Sequence, residues 1–305
     1  MMDIVKTTAA ELLESGSVTA VIGYTSGTLA AHTHMFTAYS KEDAEKLVFN
    51  EYCTQNLALY LNKQHLSAIY SQAGEKARSA EVPAKKPVGI FVKGCDVKSV
   101  NVLIQEHQIN REDVMLIGVK CSGVKYSEDS PLPGKCLNCT LNIPQTCDTL
   151  IESVNTKDHT PAKQPEAGVM ERVAQLEKMS LEERWEFWTA EFDKCIKCYA
   201  CRQVCPLCYC DTCITDKTRP GWIDQSVHPV GNMAWHLIRA FHLAGRCTGC
   251  NECERACHQG IPLSLLNAKL AKEIFGLYGY RSGESAEAKP VLTDFRTNDD
   301  QNFIM

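Results

Sequence analysis

The 305 residues, 44% hydrophobic and 23% charged, have the balance of a globular chain of roughly two domains, which excludes a disordered chain, a coiled coil and a collagen-like fibre. With 32 basic against 37 acidic residues the formal charge is −5, and no long basic stretch offers a surface for nucleic acid. No run reaches the ~18 apolar residues of a membrane helix, and the opening MMDIVKTTAAELLESG is helix-like without a basic n-region or an apolar h-region, so a cytoplasmic protein with no membrane span is expected.

In chain order, apolar β-like runs at Val18–Gly23, Val88–Val92 and Val114–Val119 alternate with helical segments, which reads as an α/β domain with a parallel-type sheet over residues 1–154. Between the last two runs, Asp96–Gln108 carries Val97, Val100, Leu103 and Ile104 at helical spacing. The resulting β–α–β unit sets Cys95 at a strand-to-helix turn, where sites in open α/β sheets form. A polar stretch with Pro161 and Pro165 (155–166) marks a domain boundary, so residues 155–194 read as linker and connecting helices, Met170–Lys178 and Leu181–Phe192. Ser180 with Glu183 forms a capping box at the start of the second. Helices at Asn232–Leu243, ended by Gly245, and Leu263–Leu277 complete a mainly helical segment at 195–280. Residues 281–305 read as a polar tail, ordered only against a partner.

The anomaly is 17 cysteines, too many for disulfides in a reducing cytosol, so metal ligation is expected. All but Cys53 fall in two blocks: Cys95, Cys121, Cys136, Cys139 and Cys147, then eleven from Cys195 to Cys257. Cys195-x2-Cys198-x2-Cys201-x3-Cys205-Pro206 is the ligand run of bacterial two-cluster ferredoxins, and Cys247-x2-Cys250-x2-Cys253-x3-Cys257 repeats it. In such runs three close thiolates hold one cube and the fourth reaches the neighbouring one. The reading is one [4Fe-4S] cluster on Cys195, Cys198, Cys201 and Cys257 and a second on Cys247, Cys250, Cys253 and Cys205, in a helical dicluster ferredoxin domain. Zinc on CxxC pairs is the competing reading.

Cys208, Cys210 and Cys213 exceed what two clusters need and stand either as buried small hydrophobes or as extra ligands, with His228 or His236 as a fourth donor for zinc. In the first block, Cys95 and Cys121 follow consecutive parallel strands and therefore end on one sheet edge. Cys136 and Cys139 close the site from a loop, a third [4Fe-4S] cluster with Cys147 as alternate ligand; zinc and free thiols are the alternatives. Gly94, Gly118 and Gly134 would admit close backbone approach to a bulky group. The histidines form no motif, and His32 and His34 beside the first sheet are ligand candidates.

The stretches VGIFVKGCDVKSVNVLIQEHQI, MLIGVKCSGV and CLNCTLNIPQTCD resemble the beta subunits of deazaflavin-reducing hydrogenases and formate dehydrogenases, and are similar to the iron–sulfur subunit of anaerobic sulfite reductase. The resemblance implies a [4Fe-4S] cluster on Cys95, Cys121, Cys136 and Cys139. RAFHLAGRCTGCNECERACHQGIPL looks like the sulfite-reductase-type subunits and the iron–sulfur subunit of flavin oxidoreductases that feed heterodisulfide reductase. Members of the deazaflavin-reducing type bind FAD through a glycine-rich stretch; here Gly23-Tyr24-Thr25-Ser26-Gly27-Thr28 has no consecutive glycines.

Clusters pass single electrons and accept no hydride, so a flavin, here or on a partner, must join the two chemistries. The reading that follows is an electron-transfer subunit of an anaerobic multisubunit oxidoreductase, without catalytic residues of its own. It would relay electrons between a flavoprotein subunit and heterodisulfide-reductase-like or hydrogenase/formate dehydrogenase subunits. The alternatives are a flavin-binding subunit that itself turns over a nicotinamide or deazaflavin, and a zinc-stapled assembly scaffold.

Overall fold

The structure, a computed structural model, describes residues 3–29, 32–76, 86–137, 139–152 and 168–291, and residues 293, 295 and 297 beyond them. The proposed boundary at 155–166 lies outside the described residues. Helix α1 (Asp3–Glu14) precedes strand β1 (Val21–Ser26), and β2 (Thr33–Ala38) returns antiparallel to it. One turn of helix, α2 (Lys41–Ala44), then leads to the short β3 (Leu47–Val48) and to α3 (Lys63–Lys76). The β–α–β unit is β4 (Val88–Val92), α4 (Gly94–Gln105) and β5 (Val114–Val119); α5 (Gly134–Leu137) and β6 (Thr149–Ile151) follow.

Among the described residues the strand order is β2-β1-β4-β5-β6, and β1, β4, β5 and β6 are mutually parallel. Every residue of β4 is buried, which is why it reads as an unbroken apolar run rather than an alternating one. The expected parallel sheet is corrected at one edge. Val21 and Ile22 of β1 pair with β4, whereas Tyr24 and Thr25 pair antiparallel with β3, and β2 runs antiparallel along the other side. The few residues between β1 and β2 permit only a hairpin return, since a parallel crossover needs a dozen or more. Half-buried β2, THMFTA, gives too little apolar alternation to be read as a strand.

The second half is helical: α6 (Val169–Lys178), α7 (Leu181–Asp193), α8 (Ala200–Gln203), α9 (Pro229–His242), α10 (Glu252–Arg255) and α11 (Leu263–Tyr278). At the start of α7, Ser180 Oγ accepts from the Glu183 N–H at 3.2 Å and Glu183 accepts from the Ser180 N–H at 2.7 Å, so the capping box is present. Glu177 of α6 pairs with Lys269 and Lys272 of α11, at 2.7 and 2.5 Å. No helix among the described residues is long and apolar enough to cross a membrane.

Helix α4 joins the two halves. Its apolar face, Val97, Val100 and Leu103, packs into the sheet core, yet Ser99 and Asn101 are buried as well. Ser99 bonds to Asn56 on one side and to Thr248 on the other, at 2.9 and 3.0 Å. Glu106, just past the helix, receives the Arg246 guanidinium and the Tyr209 hydroxyl. A helix polar on one side is thus covered all round, because the second half supplies the missing partners.

The tail expectation is corrected in the same place. Asn101 donates to the Gly283 carbonyl at 2.9 Å, and Gln105 donates to those of Ser285 and Ala288 at 2.6 and 3.0 Å. A Cβ on Gly283 would lie 2.2 Å from the Lys98 carbonyl oxygen, and one on Gly245 would lie 2.3 Å from Val291. Backbone carbonyls, which no hydropathy pattern records, hold residues 283–291 against their own chain. Replacing Asn101 and Gln105 by alanine should release this segment at a cost of about 1 kcal/mol per lost bond. Amide exchange across 283–291 should then accelerate while the β4 amides stay protected.

Candidate functional site

Because β4 and β5 are parallel neighbours, Cys95 and Cys121 emerge on one edge of the sheet. Cys95 lies in the first turn of α4, and Cys121 is fixed by its N–H bond to the Asn142 carbonyl at 2.8 Å. Cys136 on α5 and Cys139 beyond it complete a neighbourhood in which Cys121 acts on Cys95, Cys136 on Cys121, and Cys136 on Cys139. Burial pushes Cys121 up to about 11 and Cys95 well above an ordinary thiol.

Gly94 and Gly118 make room for the chain's own backbone and side chains rather than for a bulky group. A Cβ on Gly94 would lie 2.0 Å from the Leu141 carbonyl oxygen and one on Gly118 2.8 Å from Cys147 Sγ, so these glycines let segment 139–147 lie on the sheet edge. Gly134 faces open space. Cys147 therefore packs on Gly118 at the rim of the core, with no thiol among the charges acting on it.

Beneath Cys95 sits a cation that the sequence did not single out. Lys93 is 2% exposed, and its ammonium faces Tyr24 Oη, Asp96 Oδ2 at 3.0 Å, and the Cys53 and Gln55 carbonyls at 3.1 and 2.9 Å. Its charge opposes the burial of both Cys95 and Cys121. The buried Cys53 backbone serves this network, while its thiol stays among Asn50 and Val48.

The two four-cysteine runs adopt one backbone form. Lys197 and Tyr199 have φ of +51° and +57°, and their counterparts Gly249 and Asn251 have +70° and +58°. Three of these four are not glycine, an uncommon state for L-residues, and both loops adopt it at the same two positions. Each run then enters a short helix, α8 or α10, and those helices touch. The contact interleaves the runs. One cavity, of about 20 Å³, is lined by Cys195, Cys198, Cys201 and Cys257; another, of about 190 Å³, by Cys205, Cys247, Cys250 and Cys253.

Helix α9 holds the first run through polar groups on its buried face. Asn232 donates to the Phe192 and Cys195 carbonyls at 3.0 and 2.9 Å, and Arg239 to the Cys201 carbonyl at 3.0 Å. Between them His236, 3% exposed, stacks on Phe192. Burial, then the charges of Arg239 and Lys197, drops its pKa to about 4, so it is neutral near pH 7.

Cys208, Cys210 and Cys213 open onto a separate cleft of about 840 Å³ between Leu59–His65 and the 202–216 segment, with His65, His242 and Arg202 in its wall. Neither His228 nor His236 lines it. His228 instead caps α9, accepting from the Gly231 N–H and bonding Asp224 at 3.0 Å. His32 and His34 are exposed, and Gly23 lies inside β1, where a Cβ would meet Leu47 at 2.7 Å. Among the described residues no three His, Cys, Asp or Glu side chains gather tightly enough for a single metal ion.

Four-thiol sets suit iron–sulfur cubes, and orphaned donors fit them too. Among the described residues Arg239 Nε is buried without a partner, and the backbone N–H groups two residues on donate to the sulfurs of Cys121, Cys139 and Cys195 at 3.3 to 3.4 Å. N–H donors to sulfur are what a cluster-bearing thiolate needs.

The chain's likeness is to the beta subunits of deazaflavin-reducing dehydrogenases. It is 24% identical to the F420-dependent formate dehydrogenase subunit beta of Methanocaldococcus jannaschii, over 298 aligned positions covering 70% of this chain and 78% of the relative. Over 115 residues, 37% of this chain and 29% of the relative, it is 32% identical to the F420-dependent formate dehydrogenase 1 subunit beta of Methanococcus maripaludis. No protein-family model matches the chain.

The raised thiol pKa values carry a sign. Unfolded thiols lose protons near pH 9 while Cys121 and Cys250 hold theirs to about 11 and about 12, both raised chiefly by burial. In the metal-free chain the stability these two burials contribute should be fully present below pH 9 and lost as pH climbs from 9 toward 12. A melting temperature that stayed flat across that window would contradict these burials.

Proposed function

We propose that this chain is an iron–sulfur electron-transfer subunit of an anaerobic multisubunit oxidoreductase, with three [4Fe-4S] clusters. The observation that carries the reading is the interleaving of the two runs: each thiol cavity takes three cysteines from one run and the fourth from the other. Cluster one would use Cys195, Cys198, Cys201 and Cys257, cluster two Cys205, Cys247, Cys250 and Cys253, and cluster three Cys95, Cys121, Cys136 and Cys139. The 195–280 segment is then a helical dicluster ferredoxin unit. Bound clusters would supply one-electron transfer; the protein supplies thiolates, N–H donors and exclusion of water.

Half-buried Lys135 supports a continuous path. Its ammonium bonds the Cys250 carbonyl at 2.8 Å and acts on both Cys95 and Cys250, so the cluster-three thiols lie near those of cluster two. Electrons would run between a flavoprotein partner and a heterodisulfide-reductase-like or dehydrogenase subunit, a role in keeping with the relatives' membership of formate dehydrogenases. The flavin-binding alternative keeps one support, the cleft of about 840 Å³, which falls in the size range of cofactor sites. A zinc-stapled scaffold is the alternative of another class, in which each four-thiol set would hold one ion.

Anaerobically prepared chain should contain about twelve iron and twelve sulfide, four of each per cube. Eight would remove cluster three, and zinc in place of iron would overturn the reading. Stoichiometric FAD with direct turnover of a nicotinamide or deazaflavin would favour the flavoenzyme.

Replacing Cys205 by serine should perturb the spectrum of the cluster held by Cys247, Cys250 and Cys253, in the other run. A change confined to the cluster of Cys195, Cys198 and Cys201 would refute the crossed assignment.

A further inference from the structure

Arg239 is buried at the junction of the two C-terminal thiol sets, 5% exposed, and nothing in the sequence motifs points to it. One guanidinium nitrogen donates to the Cys201 carbonyl at 3.0 Å, in the first set. The side chain also lines the cavity of Cys205, Cys247, Cys250 and Cys253, the second set. Among the described residues it pairs with no carboxylate, unlike Arg202, Arg246 and Arg255, which sit on Asp216, Glu106 and Glu252. Its Nε has no acceptor at all.

Such a cation is costly to bury unless negative charge faces it. The groups acting on it after burial are the sulfurs of Cys205 and Cys253 from the second set, Cys208 from neither, and Cys201 from the first, and together they hold its proton more firmly than in water. Arg239 also hydrogen-bonds the Cys208 sulfur. A guanidinium that faces sulfur rather than a carboxylate, between two thiol sets, lowers the energy of added negative charge on either side.

We propose that Arg239 is a positioning residue shared by the two C-terminal clusters, whose fixed positive charge raises the reduction potentials of both and keeps them close enough to exchange an electron readily. This rests on the cluster reading above. The residue touches neither partner nor substrate; it acts through the field it sets at the two centres, which hydrogen bonding and local charge tune.

The test is potentiometric titration, followed by electron paramagnetic resonance, of the full chain prepared anaerobically as wild type, Arg239→Gln and Arg239→Lys, with iron measured on each. In Arg239→Gln both C-terminal clusters should become harder to reduce by at least tenfold in the reduction equilibrium, about 59 mV for a one-electron centre. The N-terminal cluster should stay where it was. Arg239→Lys, which keeps the charge, should retain most of both potentials. Unchanged potentials in an iron-replete Arg239→Gln chain overturn the proposal, as does a shift confined to one cluster or a lysine variant that falls as far as the glutamine one. If neither variant loads iron, Arg239 serves to hold the Cys201 carbonyl and the proposal fails. Wild-type chain without iron would instead overturn the cluster reading itself.

Discussion

The structure depends on the docking of the helical half onto α4. Glu106 is the centre of that contact, taking a two-pronged bond from Arg246 and a third from Tyr209, half out of water. Stripping one partner from such a pair strands a buried charge, at a cost of about 3–5 kcal/mol for a fully buried pair. The Asn56–Ser99–Thr248 chain runs parallel to it through the protein. Both fix the register between the sheet edge bearing Cys95 and Cys121 and the run bearing Cys247 and Cys250. Lys135, held between the Cys250 carbonyl and Glu252, can bridge the two only because this register is fixed.

Burying thiols that must become thiolates sets an electrostatic problem, and the chain answers it with buried and half-buried cations. Lys93 lies below Cys95 and Cys121, Lys135 lies toward Cys250, and Arg239 lies between the C-terminal sets. Two of the three have carboxylate partners, Asp96 and Glu252, which fix the ammonium and reduce the net charge it presents. Arg239 lacks one. The same desolvation that pushes the free thiols upward makes each of these charges act more strongly than it would at the surface.

Repetition supplies the rest. The two runs share little beyond their cysteines, yet both place left-handed residues second and fourth after the first cysteine. The left-handed penalty is met in one run by Gly249 and in the other by Lys197, whose ammonium is locked onto the Asp224 and Ser226 carbonyls. Different side chains thus hold one backbone form, and the contact of α8 with α10 converts two local loops into interleaved four-thiol sets.

Spacing along the chain determined the β–α–β unit around Cys95 and the curled three-cysteine loops, because a strand's buried run, a helix's period and a short Cys-x2-Cys loop are local. Five long helices, α4, α6, α7, α9 and α11, were legible within a few residues for the same reason. What only the tertiary structure decided involves groups distant in sequence and invisible to hydropathy. The carbonyls of 283–288 seek Asn101 and Gln105, β2 and β3 pair with β1, and Cys147 turns away onto Gly118. No spacing or motif in the sequence singles out Lys93, Lys135 or Arg239. Their role exists only because folding removes water from around them and leaves sulfur and backbone oxygen in its place.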